Sequence, residues 1–139
     1  MTSLVASVGF VWFGMVLAIS FLETPLKFRA PGVSVRLGLG IGRVVFRAFN
    51  RVEVVFALVL VGAVVAGAHR VLTAVAVGSA AVVLAVQLLL VRPRLNRRSD
   101  RVLAGDEDLP RSRAHYGYVL LELAKLAALG VAGVSALSG

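Results

Sequence analysis

His115-Tyr-Gly-Tyr118-Val-Leu-Leu-Glu122-Leu-Ala-Lys125 opens the last apolar segment of the chain. Read as a helix, it puts His115, Tyr118, Glu122 and Lys125 on one face, since gaps of three and four residues return to the same side. A carboxylate and an ammonium inside an apolar span each cost about 2.5–3.5 kcal/mol on insertion scales, so both require partners. Those partners have to come from other segments at a similar depth. The rest of the sequence supplies them, and the fold it implies is all-α: an integral membrane four-helix bundle with both termini extracytoplasmic.

Of 139 residues, 59% are hydrophobic, and the mean hydropathy is +0.93. A soluble domain of this length is less apolar, and long apolar runs mark membrane spans. One domain, residues 1–139, is expected, with spans at about 4–22, 46–68, 71–91 and 117–137 and cytoplasmic connections at 23–45 and 92–116. The formal charge of +8 is carried mostly by arginine in two blocks. Arginine blocks beside apolar spans set topology and touch anionic lipid, so nucleic acid is not expected as a partner. With no cysteine, disulfides and thiolate chemistry are excluded.

The first span lacks the basic n-region and the small-residue cleavage site of a signal peptide. Pro25 and then Pro31-Gly32 are expected to stop its helix, because proline removes a donor and disfavours helix in the residue before it. The clean apolar run of the second span, residues 54–68, covers about 22 Å, too little for a hydrocarbon core of about 30 Å. Its helix therefore starts earlier, within residues 41–52, and carries Asn50, Arg51 and Glu53 to the membrane edge or inside it. Arg43, Arg47 and Arg51 recur every four residues as a basic stripe suited to lipid headgroups, and Arg92, Arg94, Arg97 and Arg98 extend it. The third span holds Gln87 as its one strongly polar side chain, and Arg92-Pro93 ends it. Ser112 is a plausible N-cap for the fourth.

Charge sets the orientation. Six basic residues lie between Lys27 and Arg51 and seven between Arg92 and Arg113, whereas the opposite side has only Arg70. The positive-inside rule puts both long connections in the cytoplasm.

Counting about twenty residues back from the far end of each span places Glu53, Gln87 and Glu122 about 6 Å inside the cytoplasmic edge and Lys125 about 10 Å inside it. Ser20 and Glu23 end the first span on the same side. Each helix thus offers a polar group to one layer: Glu23, Asn50, Glu53, Gln87, His115, Tyr118, Glu122 and Lys125. Lys125 is expected to pair with Glu53 on another helix as well as with Glu122 on its own. One ammonium between two carboxylates leaves a negative charge over, so either a carboxyl holds a proton or the layer is wet. Two roles remain open for the layer. It is a set of structural pairs satisfying one another, or it lines a cavity open to the cytoplasm.

Other signals are weaker. Gly38-Leu-Gly40-Ile-Gly42 lacks the preceding strand and the lysine-serine pair of a phosphate loop, and reads as a flexible turn that lets backbones approach closely. His69 and His115 fall near opposite membrane faces, so no shared metal or haem site is expected, and each reads as a capping or interface residue. Trp12 and Phe13 read as packing. Small pairs at four-residue spacing, such as Gly14 with Ala18 and Ala63 with Gly67, suit close helix packing within the bundle or in a homodimer.

Trp12-Phe-Gly-Met, Phe21-Leu-Glu-Thr-Pro-Leu-Lys-Phe, Gly42-Arg-Val-Val-Phe, Asn50-Arg-Val-Glu53 and the stretch from His115 to Lys125 together resemble a known group. It comprises small four-helix bacterial membrane proteins similar to the transmembrane-protein-205-like family. The resemblance implies a four-helix integral membrane protein in the bacterial plasma membrane. That family lacks an established activity, so the resemblance carries over no catalytic residue and no cofactor. In length and helix number the chain also resembles bacterial membrane protoporphyrinogen oxidase, but the early histidine of that family is missing from the first span.

The expected function is that of a membrane interaction or scaffold protein with a basic cytoplasmic face, without enzymatic activity of its own. Its partners would be the bilayer, anionic lipids and a second copy or another membrane protein. The alternative is a small transporter or ligand-binding membrane protein using the Glu53/Glu122/Lys125 layer.

Overall fold

The structure, a computed structural model, describes residues 2–93, 97 and 113–138, without the side chains of residues 2 and 113–116. The expectations for Arg94, Arg98, the Ser112 cap and the His115 side chain fall outside what it describes. The described residues are helical apart from turns, with no strand among them.

Helix α1 (Thr2–Ala18) runs into a π-helical turn, Ile19–Glu23, and then into the short α2 (Thr24–Lys27). The chain reverses through residues 28–34 and enters α3 (Val35–Ala66). A short connection leads to α4 (Val71–Val86), which continues through a second π turn, Gln87–Val91. The last helix is α5 (Arg113–Ser138). Among the described residues four stretches are long and apolar enough to cross a membrane: Ser3–Lys27, Val35–Ala66, Val71–Val91 and Gly117–Ser138.

Two expectations are corrected here. Pro25 does not stop the first helix. The preceding turn widens to the π form, with the Thr24 N–H bonding to the Ile19 carbonyl five residues back and the Thr24 hydroxyl donating to the same oxygen at 2.9 Å. A proline ring normally clashes with the carbonyl four residues earlier, and the wider turn relieves that crowding. Pro93 is accommodated in the same register, with the Arg92 N–H reaching the Gln87 carbonyl. In both spans the π turn begins six residues before the proline.

The second correction concerns the glycines. Gly38, Gly40 and Gly42 lie inside α3, which starts at Val35, ahead of the expected window. Ser34 caps that start by accepting from the Leu37 N–H at 3.1 Å. The close approach read from these glycines is real. A Cβ on Gly38 would run into the Phe28 ring, so the absent side chain lets the reversal fold back onto α3. Gly32, at φ +82°, makes the reversal itself. At 32 residues α3 is about 48 Å long, so it projects beyond a hydrocarbon core of about 30 Å.

α5 packs most extensively against α1 and α4, and α3 also packs against α1 and α4. The four long helices therefore occupy the corners of a square, with α3 and α5 on one diagonal. Val5, Trp12, Val16, Leu60, Ala80, Leu84, Leu129 and Ala132 are among the buried apolar residues at the centre. The outside is aliphatic: Leu58, Val65, Val71, Leu89, Leu120 and Leu137 are all more than two-thirds exposed or close to it. A bundle that buries its ions and exposes its leucines is built for hydrocarbon surroundings. Gly14 and Ala18 face outward, whereas Ala63 is buried in the bundle.

Candidate functional site

Among the described residues six polar or charged side chains are buried, and four of them, Glu53, Gln87, Glu122 and Lys125, form one network. Lys125 Nζ donates to Glu53 Oε2 and to Gln87 Oε1 at 2.8 Å, and forms an ion pair with Glu122 Oε1 at 2.6 Å. Three side-chain oxygens from three helices thus surround the ammonium. The Gln87 amide nitrogen donates to Glu122 Oε1 at 2.7 Å and, more weakly, to the Tyr118 carbonyl at 3.5 Å. Ser20 donates to the other carboxylate oxygen, Glu122 Oε2. Trp12 Nε1 donates to Glu53 Oε2 at 2.8 Å. All four corners of the bundle contribute.

Local structure explains why these groups meet. Glu122 and Lys125 are three residues apart on α5 and share its inner face. Ser20 and Gln87 belong to the two π turns, whose extra residue per turn re-aims the side chains that follow the helix proper. Glu53 enters from the diagonal corner, and Lys125 Nζ reaches over the ring of Phe49, one turn before Glu53, at 5.9 Å from its centre.

One carboxylate oxygen, Glu53 Oε1, is buried with no hydrogen-bond partner among the described residues. With every group ionised the network carries two negative charges against one positive. The Lys125 ammonium offsets much of the burial cost, since a buried charge is tolerated only when paired and hydrogen-bonded.

The remaining predicted site residues lie around the network. Tyr118 is buried one turn before Glu122, its ring edge-to-face with Phe46 at 6.1 Å and its hydroxyl without a partner among the described residues. Asn50 is half-buried near Arg92 and does not join the ion pairs. Glu23 is half-buried and lies 3.8 Å from Lys27 in an i,i+4 pair of its own, so the expectation that it joins the others in one layer is corrected. It points away because it sits at the far end of its π turn, three residues past Ser20. Of the basic stripe, Arg43 and Arg92 are half-buried, and Arg47, Arg51 and Arg97 are exposed.

Trp12 was the residue that sequence reasoning missed. It does pack, with its ring centre 6.3 Å from that of Phe56, but its indole N–H is also a donor in the ionic network. The signal was available, because a tryptophan buried mid-span has one N–H that must find an acceptor. A second polar contact, Thr73 Oγ1 to Ser135 Oγ at 2.7 Å, joins α4 to α5 at the opposite end of the bundle. His69 donates to the Ala63 carbonyl at 3.2 Å, closing the end of α3 as a cap. Among the described residues no group of three or more histidine, aspartate, glutamate or cysteine side chains is placed to hold a metal.

No family model, no curated protein and no solved structure matches this chain.

Proposed function

We propose that this protein is a multi-pass membrane scaffold or interaction protein of the bacterial plasma membrane. Its buried polar network acts as a strut, and its basic end faces the cytoplasm and anionic lipid. The observation that carries the reading is the enclosure of Lys125, fully buried and surrounded by oxygens of Glu53, Gln87 and Glu122. A cargo-binding lysine would keep a face open to its cargo. The arginine-rich end, with Arg43, Arg47, Arg51 and Arg92, supports the orientation through the positive-inside rule.

The likeness to the small bacterial four-helix proteins belongs to the same proposal. Trp12, Glu53, and Glu122 with Lys125 stand in three separate motifs of that likeness and converge on one network.

A second reading has one specific observation in its favour. Glu53 Oε1 has no donor among the described residues while the network carries a surplus negative charge, as a site for a proton or small cation would. A double substitution, Glu53→Leu with Lys125→Met, separates the two. In cells lacking the gene, a scaffold keeps its function when the double variant inserts stably. A double variant that accumulates in the membrane at normal levels yet fails to complement favours transport or ligand binding.

A further inference from the structure

Beside the buried network, at the same end of the bundle, lies a cavity of about 210 Å³ lined by Arg43, Phe46, Arg47, Asn50, Arg51 and Arg92. Among the described residues that line it, four carry a guanidinium and none is acidic. Like charges gathered around one concavity raise its potential and concentrate anions there. Arg92 is the fixed member. Its Cζ sits 4.6 Å from the ring centres of both Phe46 and Tyr118. Its backbone N–H closes the π turn on Gln87, so helix geometry and aromatic contact together decide where the guanidinium lies.

The Arg92 nitrogens Nε and Nη2 are both buried without a hydrogen-bond partner among the described residues, and so is Asn50 Oδ1. Nε and Nη2 form the side edge of the guanidinium, where two N–H bonds point in parallel. That edge matches two oxygens of a phosphate or carboxylate bidentately. Buried donors left unpaired are costly, so a ligand that satisfies them is favoured.

We propose that this cavity is a discrete site for one phosphate group, gripped by the side edge of Arg92 and flanked by Arg43 and Arg47. The site deepens the reading of the basic end as a headgroup surface and rests on it for orientation: it holds a single bound anion in a defined place, where that surface offers only diffuse attraction. The phosphate belongs either to a membrane lipid headgroup or to a free phosphate.

Native mass spectrometry and thermal unfolding of the full chain in a neutral detergent test this, with dioleoyl phosphatidic acid, dioleoyl phosphatidylcholine or inorganic phosphate added singly. The expected result is one retained phosphatidic acid per chain, a higher melting temperature, and at least a tenfold loss of retention in Arg92→Gln. Arg92→Lys keeps the charge without the planar fork. It is expected to fold as the wild type and to lose most of the retention as well. Stabilisation by inorganic phosphate equal to that by phosphatidic acid assigns the site to a free phosphate; stabilisation by the lipid alone assigns it to a headgroup. Equal retention of the zwitterionic and anionic lipids, or retention unchanged in both Arg92 variants, overturns the site. Flotation with anionic vesicles reports on the broader surface separately. If Arg47→Gln with Arg51→Gln weakens flotation while Arg92→Gln changes neither flotation nor retention, the basic surface stands and the discrete site falls.

Discussion

Lys125 and Glu53 meet across the diagonal of the bundle, on two helices, α5 and α3, whose backbones stay apart. Only long side chains can close that distance, and both are entirely buried when they do so. The pair ties together the two corners that backbone packing leaves apart. Trp12 from α1 and Gln87 from the α4 span then brace it from the sides.

Removing Lys125 should be the costliest single change. Lys125→Met leaves Glu53 and Glu122 buried without a cation, and stranding a buried charge costs about 3–5 kcal/mol. Glu53→Leu leaves Lys125 balanced by Glu122, so it should cost less. The double variant should be more stable than Lys125→Met alone. Thermal unfolding in detergent measures all four states of the cycle, and losses that simply add would show that the two residues are not coupled.

Trp12→Phe keeps the aromatic shape and removes one donor. A hydrogen bond to a charged group contributes about 1.5–3 kcal/mol, and the loss should fall in that range. In a Glu53→Leu background the same substitution should be nearly neutral, because its acceptor has gone. An equal cost in both backgrounds, read from the same melts, would assign Trp12 to packing alone.

Gln87 both donates to Glu122 and accepts from Lys125, so the direction of each bond matters. Gln87→Leu should lose both bonds. Gln87→Glu, nearly identical in shape, should be worse at neutral pH, because it replaces a donor facing Glu122 with a third carboxylate. Comparing the yield of folded protein after detergent extraction and its melting temperature orders the two variants. A well-tolerated Gln87→Glu would mean that water reaches the network.

The orientation can be read in intact cells. The chain has no cysteine, so single cysteines at Ser3, Ser99 and Ser138 are unique labels. A membrane-impermeant thiol reagent should label the first and third and spare the second. Labelling of Ser99→Cys with protection of the other two would reverse the assignment.

The number of apolar helices was legible in the sequence, and so was the common level along them at which Glu53, Gln87, Glu122 and Lys125 meet. Both follow from a rise of about 1.5 Å per residue and from the cost of leaving charge unpartnered in hydrocarbon. Only the tertiary structure decided which groups touch. Pro25 and the glycines of α3 read locally as breaks, yet a π turn absorbs the first, and the packing of Phe28 over Gly38 holds the second within a helix. Periodicity places a side chain on a face but does not say which corner of a square that face meets. The diagonal contact from Lys125 to Glu53, the indole of Trp12 on the same carboxylate, and the exclusion of Glu23 all depend on how four helices pack around one another.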